Sequence, residues 1–68
     1  MTLYYTLNGT IINITERATL VPRKGDVVEY NGDYFKVKNV VWHLNKYTDV
    51  EVQLEILVNN KGDDTNEI

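Results

Sequence analysis

Val27-Val28-Glu29-Tyr30-Asn31-Gly32-Asp33-Tyr34-Phe35-Lys36-Val37 is the stretch that decides the fold. Two runs of β-branched and aromatic residues flank Asn31-Gly32, and Asn-Gly in that setting is the strongest short-range sign of a hairpin. A type I′ turn needs positive φ at both central residues, which Gly adopts freely and Asn more readily than most. A two-residue loop pairs Val28 with Phe35 and puts Tyr30 and Val37 on the same face. Val27, Glu29, Tyr34 and Lys36 then point the other way.

Moving towards the C-terminus, the alternation changes phase. Phe35 and Val37 are odd-numbered, whereas Val40, Trp42 and Leu44 are even-numbered. A slip of one residue near Lys38-Asn39 is what a β-bulge produces, so one long strand bent at its middle is expected. Asp49 to Val58 alternates cleanly, with Val50, Val52, Leu54 and Ile56 against Glu51, Gln53 and Glu55. A five-residue loop from Asn45 to Asp49 would pair Leu44 with Val50, Trp42 with Val52 and Val40 with Leu54. Lys38 would then fall against Ile56.

Towards the N-terminus, Leu3-Tyr4-Tyr5-Thr6-Leu7 and Thr10-Ile11-Ile12-Asn13-Ile14 flank a second Asn-Gly, at Asn8-Gly9. The same turn pairs Leu7 with Thr10, Tyr5 with Ile12 and Leu3 with Ile14, leaving Tyr4, Thr6, Ile11 and Asn13 outside. Residues 15–21 fit a continued strand, a helical turn or a loop. Pro22 stops any helix there and biases Val21 towards an extended conformation. Pro22-Arg23-Lys24-Gly25-Asp26 reads as a turn into the next strand.

These readings give an all-β fold, a small antiparallel sheet of five to six strands curled into a barrel over residues 1–58. The expected core is Leu3, Tyr5, Leu7, Ile12, Ile14, Leu20, Val28, Tyr30, Phe35, Val37, Val40, Trp42, Leu44, Val50, Val52, Leu54 and Ile56. Residues 22–54 carry a spaced pattern: Pro22-x-x-Gly25-Asp26, Val28, Asn31-Gly32, Phe35-x-Val37 and Val40-x-Trp42. The pattern resembles the small SH3-like β-barrels. It is also similar to short uncharacterised proteins encoded by bacteriophages and mobile elements. That resemblance implies a binding module without catalysis of its own.

The chain has 68 residues, ten acidic and seven basic, for a net charge of −3. Asp63, Asp64 and Glu67 against Lys61 account for −2 of it, because residues 1–58 hold the other seven acids and six bases. Residues 59–68 are therefore expected to be a disordered acidic tail, and the body is close to neutral. No apolar run approaches the roughly 20 residues of a membrane span. The first residues lack the charged and apolar regions of a signal peptide, so a cytoplasmic protein with no membrane contact is expected.

Chemistry is constrained by what the sequence omits. It contains neither cysteine nor serine, and His43 is its one histidine. Serine and cysteine hydrolase chemistry is excluded, and thiolate zinc sites with it. His43 follows Trp42 in an alternating strand and should face solvent. Glu51 and Glu55 share the solvent face of one strand, and Asp26 is placed to bond a turn amide. No enzyme activity, metal or cofactor is expected.

Two surfaces remain as candidates. Tyr4, Ile11 and Tyr47 could form a protein contact, since tyrosine combines a rigid apolar ring with a polar tip. Arg23, Lys24, Tyr34, Lys36 and Lys38 could contact single-stranded nucleic acid by stacking and phosphate neutralisation. The leading expectation is a protein-binding or assembly module acting through a strand edge, on a partner or on a second copy. Weak nucleic-acid binding is the alternative.

Overall fold

The computed structural model describes residues 1–58, and the tail expected over 59–68 lies outside the described residues. Five strands form: β1 (Thr2–Leu7), β2 (Thr10–Thr15), β3 (Val27–Tyr30), β4 (Asp33–His43) and β5 (Asp49–Val58). They make one sheet in the order β2-β1-β5-β4-β3, curled through 205° into a half-barrel. The described residues contain no helix, and so none that is long and apolar enough to cross a membrane.

Both Asn-Gly turns have positive φ at both central residues: 53° and 84° at Asn8-Gly9, 52° and 85° at Asn31-Gly32. The β3–β4 hairpin follows the expected register, with Val28 opposite Phe35 and Tyr30 opposite Asp33. The Pro22–Asp26 turn is closed by Asp26, whose carboxylate accepts the Arg23 N–H at 2.8 Å. Gly25, at φ 96°, donates its N–H to the Val37 carbonyl, and Asp26 accepts the Val37 N–H. This turn thereby prolongs the β3–β4 ladder by one step.

Three registers differ from expectation. In β1–β2, Leu7 faces Thr10 and Thr6 faces Ile11, but Tyr5 then faces Asn13 and Tyr4 faces Ile14. The unpaired Ile12 is a bulge, and the added twist of a bulge suits a strand at the rim of a tightly curled sheet. Ile14 consequently leaves the core for the outer face. In β4–β5 the expected slip does fall at Lys38, between Val37 and Asn39, and a second falls between Tyr34 and Phe35. The loop, however, spans residues 44–48, because Asn45 Oδ1 accepts the N–H groups of Tyr47 and Thr48 at 2.9 and 2.8 Å. His43 then faces Asp49, Trp42 faces Val50, Val40 faces Val52, and Phe35 rather than Lys38 faces Ile56. Leu44 is left outside the sheet and is 83 % exposed. The third difference is the pairing of β1 with β5, which is parallel, Leu3 with Val50 through Leu7 with Leu54. The sheet is therefore mixed, with three antiparallel pairs and one parallel pair.

The core lies on the concave face. Leu3, Phe35, Val37, Val50, Val52 and Leu54 are buried, with Tyr5, Leu7, Ile12, Val28, Tyr30 and Val40 packed against them. At typical values each fully buried side chain of this kind contributes about 1.5–3 kcal/mol. Ala18 and Val21 join the cluster. After β2 the chain turns at Arg17 (φ 57°), and the Ala18 N–H donates to the Met1 carbonyl. Residues 18–22 then lead towards β3. Leu20 points away from the core at 82 % exposure, and Ile14, Trp42, Leu44 and Ile56 are also exposed. Ala18 and Val21 thus occupy core places that the sequence pattern gave to Ile14 and Leu20.

Candidate functional site

The sheet is open, so it has two edges, β2 and β3. Their free backbone groups follow from hairpin geometry. In a two-residue hairpin the closing pair exchanges both backbone bonds, and bonded and non-bonded pairs alternate from there. In β3 the closing pair is Tyr30–Asp33, which leaves Val27 and Glu29 with outward N–H and C=O groups. In β2 the closing pair is Leu7–Thr10, and the residues left facing outwards are Ile11 and Ile14, opposite Thr6 and Tyr4. Both isoleucines are about half exposed, at 52 % and 50 %.

The edges also differ in their defences. A natural edge strand is commonly short, charged, bulged or covered. β3 has four residues, one of them Glu29, and the Gly25-Asp26 turn precedes it. β2, Thr-Ile-Ile-Asn-Ile-Thr, has six residues and no charge. Its single irregularity is the bulge.

Among the protein-contact candidates, Tyr4 and Ile11 lie on the outer face of β1 and β2. Ile14 joins them there, opposite Tyr4, and Val41 continues the row through Glu51. Beneath them the Thr6 hydroxyl is buried and donates to Glu51 Oε2 at 3.0 Å, which satisfies a polar group under an apolar patch. Tyr47 is elsewhere. It sits exposed in the β4–β5 loop, with the Lys46 ammonium 5.7 Å from its ring centroid, a cation–π spacing. The sequence pattern missed Ile14, and missed that Trp42 and Leu44 near Tyr47 are exposed, because it assigned all three to the core.

The basic candidates are partly gathered. Tyr34 and Lys36 share the outer face of β4, and Lys38 occupies the bulge. The turn carrying Arg23 and Lys24 is bonded to Val37, which lies between the two lysines. Acidic residues are interleaved with them: Glu29 faces Tyr34, and Glu55 faces Lys36. Lys38 lines a hollow of about 290 Å³ together with Thr6, Asn8, Glu51 and Gln53.

Between the two edges lies a cleft of about 210 Å³, with Ile12 and Asn13 on one wall and Val28 and Tyr30 on the other. Tyr5 forms part of its lining, and burial pushes the Tyr5 hydroxyl above its ordinary pKa. His43 is exposed and faces Asp49 across the ladder. Among the described residues no three His, Asp or Glu side chains gather in a way that could hold a metal ion. Comparison with protein-family models, with curated proteins and with solved structures finds no match to this chain.

Proposed function

We propose that this protein is a non-catalytic protein-binding module of the phage or mobile-element type. It serves as a virion component or as an inhibitor of a host protein, and it acts in the cytoplasm. Its contact is strand addition at β2. One observation carries the reading: β2 is an uncharged six-residue edge whose outward-facing residues, Ile11 and Ile14, are half exposed. An added strand gains backbone bonds from the edge and side-chain burial from the isoleucines.

The experiment is affinity capture with the full chain and with Ile14→Pro. Proline removes the outward N–H of Ile14 without breaking a bond to β1. Loss of the captured protein with the variant, at low and high salt alike, supports strand addition. Retention with Ile14→Pro overturns it.

A second reading is favoured by one arrangement, the docking of the Arg23-Lys24 turn against Val37 between Lys36 and Lys38. In that reading Tyr34 stacks on a base of single-stranded nucleic acid and the cations meet phosphates. Such binding weakens steeply with salt, whereas strand addition does not. Replacing Lys36 and Lys38 with Gln would abolish it and leave strand addition intact.

A further inference from the structure

The β2 edge is complementary to itself. Resting on the strand-addition reading above, we infer that the partner is a second copy of this chain, with β2 paired antiparallel to β2 and Ile11 of each copy opposite Ile14 of the other. Residues three apart on a regular strand point to opposite faces. The bulge at Ile12 changes that parity, because Ile11 and Ile14 both stand opposite even-numbered residues of β1, Thr6 and Tyr4. The two isoleucines therefore share the outer face, and both turn their backbone groups outwards. A two-fold axis between Ile12 and Asn13 brings them together in pairs.

The same operation sets Thr10 opposite Thr15 and Ile12 opposite Asn13. Threonine pairs are favourable across antiparallel strands, and the facing isoleucines bury apolar surface. Four backbone bonds form, two for each Ile11–Ile14 pair. Charge permits the approach. The chain carries −3, but β2 carries none, so no like charges meet along the seam. Glu16 and Arg17, just beyond Thr15, fall beside the uncharged Asn8-Gly9 turn of the other copy. The β3 edge lacks this match, since one of its two outward residues is Glu29.

Size sets the strength. A six-residue strand is about 20 Å long, a strip smaller than the roughly 1,200–2,000 Å² of a standard stable interface. The dimer is accordingly a weak one. Such an isologous contact closes on itself and does not propagate into fibres.

Sedimentation equilibrium of the full chain from micromolar to millimolar concentration tests this, with Ile11→Lys, Ile14→Glu and the double variant alongside. The wild type should show a monomer–dimer equilibrium, and each single variant should weaken it at least tenfold. In the double variant each introduced lysine faces an introduced glutamate across the seam, and dimerisation should return. A wild type that stays monomeric overturns the inference, as does a double variant no better than the single ones. Circular dichroism melts report whether each variant is folded, and the wild-type concentration series needs no variant at all. A monomeric wild type that still loses a captured protein on Ile14→Pro rejects the second copy and keeps strand addition. A dimer that survives Ile14→Pro rejects the β2–β2 pairing.

Discussion

The β1–β2 and β3–β4 hairpins turn on the same Asn-Gly pair with nearly the same dihedrals, yet only one keeps its register. β3–β4 holds all four pairs, whereas β1–β2 slips after two. The turn governs only the pairs beside it. Farther out, packing decides. β4 lies between β3 and β5 with Phe35 and Val37 in the core, and that anchoring holds its four pairs with β3, while its slips fall on the β5 side. β2 pairs with β1 alone and supplies one partly buried residue, Ile12, to the core cluster. The bulge lets Ile12 stay inside while Ile14 moves out. The well-anchored hairpin thus carries stability, and the loosely anchored one carries the longer, uncharged edge.

The largest test of that division is core truncation against edge truncation. Phe35→Ala should cost about 3–5 kcal/mol, a large share of the roughly 5–15 kcal/mol of a typical domain. Ile14→Ala should change stability by no more than about 0.5 kcal/mol, the range of surface substitutions. Urea denaturation reads both, and similar losses would show that the two hairpins contribute alike to stability.

Next come the turns themselves. Gly9→Ala and Gly32→Ala meet open space but force φ near 85° on an alanine. Each should cost about 1–2 kcal/mol. Equal costs by thermal melting would place the difference between the hairpins in their strands. A much smaller cost at Gly9 would place it in the turn.

Asp26→Ala removes the carboxylate bond to Arg23 N–H and should destabilise by about 1 kcal/mol. Because that turn extends the β3–β4 ladder, amide exchange should quicken at Val37 and stay unchanged in β2. Quickening in both hairpins would show that they are not independent.

The smallest effect concerns Tyr5, which lines the cleft between the edges. Its folded pKa is raised above the ordinary 10.0 by burial. The folded state therefore holds the phenolic proton more tightly, and the associated stability is present below pH 10 and lost as pH rises through the folded value. Tyr5→Phe should flatten that alkaline decline. An identical decline in the variant would show that Tyr5 is not its source.

Much of this structure was legible in the sequence. Both turns, the five strands, the curl of the sheet and the slip at Lys38 follow from Asn-Gly, alternation and phase. So does the β3–β4 register, because its turn and core residues agree. What was not legible is what local pattern does not encode. The parallel pairing of β1 and β5 joins segments 47 positions apart, Leu3 with Val50, and nothing nearby sets its direction. Trp42 and Leu44 continue the apolar alternation, but Asn45 captures two loop amides and ends the strand before Leu44. Ile14 continues it too, and the bulge reverses its face. The candidate site was legible only as residues: Tyr4 and Ile11 come together, Tyr47 stands apart, and Ile14 entered by way of the bulge.

Amide hydrogen exchange at Ile11 and Ile14, followed against protein concentration, reads pairing at the β2 edge residue by residue. At high dilution both amides should exchange as fast as free edge groups, and both should slow together as concentration rises, while Val27 and Glu29 do not change. Slow exchange of Ile11 and Ile14 in the dilute monomer, or exchange indifferent to concentration, would rule out pairing of two copies through β2.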